Sequence, residues 1–184
     1  NNGIINHYEY IINSEGTIEI RHVLKPEGKM PLWFPRIGLT LTVSDALDQV
    51  KWYGRGPQEN YPDRKTGYPT GIYASTVQAM YEPYLMPQDY GLRTDVRWLQ
   101  LTTDKGIGLQ FKMNEWFNFN IYPYSTDNLT KAMYTYQLQK QKGMTLNLDY
   151  ATTGVGCTAR GVFGAYKAMP QEYRRTISIK PMMK

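Results

Sequence analysis

The chain has a single cysteine, Cys157, in 184 residues. No intrachain disulfide can form, and a cysteine-based zinc site is excluded. Histidine is almost as scarce. His7 and His22 are the two, both near the start. Metal chemistry resting on imidazole has little to build with, and Cys157 has no base close in sequence to activate it as a nucleophile. No apolar run approaches the roughly 18 residues that a membrane helix needs, so no membrane partner is expected. The start, Asn1-Asn2-Gly3, has neither the basic-then-apolar pattern of a secretory signal nor an initiator Met, so the chain reads as a piece of a longer product. Charge of one sign is not concentrated either. Lys+Arg 21 against Asp+Glu 16 leave +5, with no basic block longer than Arg174-Arg175. A nucleic-acid binder clusters such residues on one face or arm, so no nucleic-acid partner is expected.

What is present suits a β protein with a real core. Hydrophobic residues make up 41% and aromatics 14%, with 16 Tyr, while 16 Gly and 11 Pro punctuate the chain too often for long helices. The dominant pattern is alternation. Residues 17–23 alternate apolar and polar, and with residues 7–12 and the turn chemistry of Asn13-Ser14-Glu15-Gly16 they read as a hairpin. Further strands are predicted at 37–43, 49–53, 71–80, 94–102, 107–113, 117–121, 134–138, 144–150 and 172–179. One short helix is predicted at 125–132, with Ser125 as its cap and Asp127 placed well against the helix dipole. About ten strands and one helix define a single all-β domain over residues 1–184, packed sheet on sheet, with a closed barrel as the alternative.

Three irregular stretches interrupt this pattern: 54–70, 81–92 and 154–170. The densest segment runs from the end of the preceding strand into the first stretch: Trp52-Tyr53-Gly54-Arg55-Gly56-Pro57-Gln58-Glu59-Asn60-Tyr61-Pro62-Asp63-Arg64. Aromatic faces beside planar polar groups suit a sugar. Equally, Arg55, Glu59, Asn60, Tyr61, Asp63 and Arg64 can satisfy an irregular loop's unpaired backbone and one another. The structural account is preferred. A glycosidase acid pair must flank one bond at a set separation, and a four-residue spacing in such a loop does not set one. Nearby Arg55 and Arg64 also favour ionised carboxylates. In a second cluster, residues 86–98, Asp89, Arg93, Asp95 and Arg97 are expected to form a salt-bridged lattice. The third, Gly154-Val155-Gly156-Cys157-Thr158-Ala159-Arg160-Gly161-Val162-Phe163-Gly164, is rich in glycine. It leads into no helix and lacks a Lys-Ser/Thr ending, so it is no phosphate loop. Arg160 and Phe163 near its tip remain open to a ligand.

These segments also carry a resemblance. The Gly56-to-Arg64 run resembles the C-terminal, small-chain domain of glycoside hydrolase family 2 β-galactosidases. So do Tyr84, the 87–93 stretch, Phe117-Asn118-Phe119, Tyr124-Ser125, Leu129, Leu146-Asn147-Leu148-Asp149 and Pro35-Arg36-Ile37-Gly38. The match covers most of the chain from about Pro31. It implies a supersandwich of antiparallel sheets, as in galactose mutarotases, with this chain forming the later part of the family domain. It implies as partners a catalytic TIM barrel and other domains of a parent enzyme, a β-galactoside or related glycan as substrate, and a possible homo-oligomer. No catalytic residue, cofactor or metal site is expected in this chain, and Mg or Na would belong to other domains. Both the bacterial cytoplasm and the periplasm stay open as compartments. The family's platform tryptophan after the Gly-Val-Gly is missing here. Either the stacking platform is absent or Phe163 or Tyr166 replaces it, and Arg160, Phe163, Tyr166 and Trp52 are the candidate carbohydrate contacts. Tyr134 and Gln137 stand where the family has His and Glu. A free-standing carbohydrate-binding module and, on fold analogy alone, a mutarotase-like epimerase are the alternatives.

Overall fold

The computed structural model describes residues 2–157 and 160–183. Nine strands, all paired antiparallel, carry the fold: β1 (Gly3–Ile12), β2 (Ile18–Glu27), β3 (Arg36–Val43), β4 (Gln49–Arg55), β5 (Thr70–Thr76), β6 (Arg93–Thr102), β7 (Gly108–Tyr122), β8 (Met144–Thr152) and β9 (Tyr173–Met182). The main ladder runs β1-β2-β9-β7-β6-β4-β5, and β8 leaves it at β7, with β3 paired to β8.

β7 makes this branching possible. Its first half, 108–113, lies between β9 and residues 98–102 of β6. Its second half, 118–122, pairs with β8. β6 follows β7 into that half, reaching Phe117 and Phe119 across two register shifts around Val96. Asp95 sits there with φ 55, a left-handed conformation that Asp tolerates better than most residues. The sequence pattern had suggested separate strands at 107–113 and 117–121. The intervening Asn114-Glu115-Trp116 is instead extended and tied down, since Asn114 accepts the Thr176 N–H at 2.9 Å and Glu115 pairs with Arg175 at 2.9 Å.

The two layers close on one apolar cluster. Trp52, Val96, Leu99, Leu101, Phe117, Phe119, Leu146, Leu148 and Ile177 are all fully or almost fully buried within it. Contacts across the layers include the Trp52 indole edge-on to Phe119 and the His22 imidazole 2.7 Å from the Tyr150 hydroxyl. This is an all-β sandwich. Strand β1, by contrast, is exposed along its whole length.

The helix forms as predicted. α1 (Thr126–Lys131) is capped by Ser125, whose hydroxyl accepts from the Asn128 N–H at 3.0 Å. The strand expected at 134–138 is not one. A 3₁₀ turn occupies Thr135–Gln137, because the Gln137 carboxamide oxygen folds back to accept from the N–H groups of Met133 and Tyr134 at 2.7 and 3.1 Å. Local side-chain bonding of this kind competes with a ladder. The other irregular stretches lie where expected.

Candidate functional site

The 54–69 stretch is a knot of buried polar groups. Glu59, 5% exposed, is its centre. Its carboxylate accepts from Arg64 Nη2 at 2.6 Å, from the Gly91 N–H at 2.9 Å, from the Tyr84 hydroxyl and, more weakly, from Tyr61. Burial alone would raise its pKa. The bonds from Tyr84, Gly91 and Arg64 outweigh that and hold it below the usual carboxylate range. Asn60, fully buried, accepts from the Thr94 N–H at 3.0 Å and hydroxyl at 2.5 Å and donates to the Gln58 carbonyl. Arg55 reaches Asp95 at 2.6 Å and donates to the carbonyls of Lys65 and Tyr68, both at 3.0 Å. Lys65 completes the Asp95 pairing at 2.7 Å. Together Lys65 and Arg55 lower the Asp95 pKa against the rise that burial would impose.

Asp63 plays a different part. Its two carboxylate oxygens accept from the N–H groups of Val155 and Gly156, at 3.0 and 2.7 Å. It thereby fastens the start of the 154–164 loop to the knot. Gly154 must be glycine for this, since a Cβ there would lie 2.5 Å from either Asp63 oxygen.

Beyond that latch the loop and Asp63 enclose a hollow of about 360 Å³, lined by Arg160, Phe163 and Tyr166 together with Gly156, Cys157 and Val162. Phe163 is 65% exposed. Three of the four predicted carbohydrate contacts are thus brought to one place. The fourth, Trp52, is not: its side chain is fully buried, its indole N–H donates to the Arg55 carbonyl, and its ring packs on Tyr73 and Phe119. Alternation on β4 turns Trp52 into the core, so it cannot meet a sugar. Thr158 and Ala159 lie outside the described residues.

On the other side of the loop lies a larger cleft of about 930 Å³. Its floor is a polar network that sequence reasoning missed, buried at Asn120, Asn147 and Asp149 and reaching solvent at Asp89. Arg36 Nη2 is 3.2 Å from Asp89 and 3.1 Å from Asp149. Asn120 donates to Asp89 at 2.9 Å and accepts from Asn147 at 2.8 Å. Burial pushes the Asp149 carboxyl up to about 7, against the pull of Arg36. Gly38 opposite leaves room for it, as a Cβ there would come within 2.9 Å of Asp149 Oδ1. Thr145, Asn147 and Asp149 alternate with Leu146, Leu148 and Tyr150 on β8, which looks like a solvated strand face; in the fold both faces are buried.

The lattice expected among Asp89, Arg93, Asp95 and Arg97 is not formed internally. Asp89 goes to Arg36 and Asp95 to Arg55 and Lys65. Arg93, 3% exposed, donates to the Gly91 carbonyl at 2.9 Å and lies over the Trp52 ring, and burial lowers its pKa to about 10. Arg97 lies over the exposed Trp116 ring at 4.0 Å. Asp89 is the carboxylate in the larger cleft's lining and Asp63 the one in the smaller hollow's. Glu59 and Asp149 stand behind the cleft wall, already bonded. Among the described residues these do not form two carboxylates flanking a space for one glycosidic bond.

Fold and site together define an antiparallel β-sandwich whose irregular loops build a polar, aromatic-lined end. Residues 2–179 match the family described as beta galactosidase small chain, and the chain belongs to that family. It is 38% identical over 147 residues to a "Beta-galactosidase" of Priestia megaterium, covering 80% of this chain and 14% of that protein. A "Beta-galactosidase" of Vibrio cholerae is 39% identical over 122 residues, covering 66% and 11%. One from Pseudoalteromonas haloplanktis is 34% identical over 148 residues, covering 80% and 14%. The chain therefore spans about a seventh or less of these relatives' length.

Proposed function

We propose that this chain is an accessory domain of a β-galactosidase-like glycoside hydrolase. It buttresses the catalytic barrel and lends the 154–164 loop to the rim of the sugar site. The observation that carries this reading is the match over residues 2–179 to the small-chain family, in relatives several times longer that are named β-galactosidases. The smaller hollow supports the loop's role. Arg160 supplies planar donors, and Phe163 and Tyr166 supply ring faces, on a segment that Asp63 holds in place. Retaining hydrolysis would be carried out by two carboxylates in the parent's other domains, where any Mg or Na would also be held.

The test uses an aryl β-galactoside. The 184-residue chain alone should give no turnover, and the parent polypeptide should be active. In the parent, Phe163→Ala should raise KM several-fold with a smaller change in kcat, the mark of lost ground-state binding. Turnover by the isolated chain that vanishes on Glu59→Gln would overturn the assignment.

A further inference from the structure

We propose that the outer face of β5, β4, β6 and β7 is a docking surface for an acidic polypeptide segment that also carries aromatic side chains. On β4, Val50 and Trp52 point into the core, so Lys51 and Tyr53 point outward. Register sets Ile72, Tyr53, Trp98 and Lys112 in one row across the four strands. The next row places Lys51 beside Gln100 and Gln110. A bulge then adds two side chains. Between the pairs Val96↔Phe117 and Trp98↔Lys112, β6 has only Arg97 while β7 has residues 113–116. Such irregularities re-aim side chains. Here the Trp116 ring covers Arg97, its centroid 4.0 Å from the guanidinium carbon, and Tyr53 flanks that carbon at 5.1 Å.

Trp, Tyr and Arg are the residue types that dominate the energetic centres of protein interfaces. Trp116 is 60% exposed, and Ile72 and Tyr53 are also open to solvent. The charges select the partner. β4 and β5 hold no carboxylate, and the two in β6 and β7 are paired, Asp95 with Arg55 and Lys65 and Glu115 with Arg175. Arg97, Lys51 and Lys112 are left without an ion-pair partner among the described residues. Arg97 donates through Nη1 to the Asp95 carbonyl, which leaves the rest of its planar fork for a carboxylate. Beside Lys51 the sheet dips into a hollow of about 440 Å³, whose lining includes Ala74, Gln100, Thr102 and Asp104. Asp104 stands in the β6–β7 turn, at the end of the face away from Arg97.

Other occupants fit less well. A nucleic acid asks for more charge, since its binders neutralise about six to ten phosphates. A second copy of this chain would set the same positive face against itself. A wholly apolar partner would bury the fork of Arg97 without an acceptor. A segment that alternates carboxylates with aromatic rings meets none of these objections. Its carboxylates pair with Arg97, Lys51 and Lys112, and its rings cover Trp98, Trp116 and Ile72. The face shares no lining residue with the larger cleft or the smaller hollow, so the inference does not rest on the function proposed above.

NMR titration of the isotope-labelled 184-residue chain tests this. The unlabelled probes are a synthetic peptide alternating Glu with Tyr and Phe, the same peptide with Lys for Glu, and a short oligothymidylate. The acidic peptide should give saturable shifts of the Trp98 and Trp116 indole N–H signals, leave Trp33 unmoved and lose affinity as salt rises. The buried Trp52 indole N–H, bonded to the Arg55 carbonyl, reports in the same spectra that the fold is intact. Arg97→Ala and Trp116→Ala should each weaken binding about tenfold. Lys112→Glu, at an exposed position, should weaken it to a similar extent without touching the rings, which covers the case in which Arg97→Ala disturbs the bulge. Any of four results would overturn the proposal: no saturable shift with the acidic peptide; affinity unchanged in both Trp116→Ala and Lys112→Glu; tighter binding of the Lys peptide or of oligothymidylate; or the same shifts on concentrating the chain alone.

Discussion

The two glycine- and aromatic-rich loops look alike in sequence and are held in opposite ways. The 54–69 loop turns its polar groups inward. Glu59 and Asn60 are buried, each with three or more bonds, and Arg55 ties carbonyls ten and thirteen residues ahead. In the 154–164 loop Val155, Cys157, Arg160 and Phe163 are exposed. The Gly154 N–H bonds the Tyr166 carbonyl, one carboxylate, Asp63, fixes the next two amides, and Phe163 is left mostly in solvent. In the first case side-chain bonds fix the path along the whole loop; in the second the side-chain bonds fall at its start. The two cases should respond differently to mutation.

The largest expected effect is at Glu59. Glu59→Ala removes the acceptor of Arg64, Tyr84 and the Gly91 N–H, and should cost about 3 kcal/mol in urea denaturation. A loss below about 1 kcal/mol would show that the knot is not held from its centre. Asn60→Ala should cost about 2 kcal/mol, since the buried Thr94 donors lose their partner. Arg64→Ala should cost only about 1 kcal/mol, because that guanidinium is 47% exposed and its pairing is screened.

Acid sharpens the same contrast. The pKa values of Glu59 and Asp95 are depressed in the fold. Their contribution is present above the unfolded values near 4.5 and 3.8 and is lost as pH falls through the lower folded values. Asp149 works the other way. Its folded pKa, raised to about 7, makes it progressively destabilising as pH climbs from about 4 to 7. Stability should therefore fall below about pH 4.5, and Asp149→Asn should flatten the slope between 4 and 7. An unchanged slope in that variant would mean that Arg36 keeps Asp149 ionised throughout.

The smallest effects belong to the displayed loop. Asp63→Asn keeps an acceptor for one amide and loses it for the other. Hydrogen exchange at the Val155 or Gly156 amide should speed up at least tenfold, with little change at the Asn60 amide, which bonds the Leu92 carbonyl. Phe163→Ala should leave stability within about 0.5 kcal/mol. A larger drop would place Phe163 in the packing rather than on display.

Much of this was legible in the sequence, and the failures have physical reasons. Alternation located β2, β3, β4, β6 and β8, and cap chemistry located α1. Alternation could not tell Tyr134–Leu138 from a strand, because pairing is a property of a neighbour and no strand lies there to pair. It could not join the halves of β7, whose middle is held by Asn114 and Glu115 rather than by apolar packing. The residue types of the knot announced its chemistry within thirteen positions. The cleft floor did not announce itself, since Arg36, Asp89, Asn120 and Asp149 come from four separate segments and meet only after folding. Trp52 was misread for a simpler reason: its neighbours are loop-like, but its own position on β4 faces inward.

Because β7 gives one half of its length to each layer, neither layer can melt while the other keeps its ladder intact. Heating should consequently yield a single sharp transition seen alike by tyrosine fluorescence and by backbone circular dichroism, with the exposed β1 fraying ahead of it.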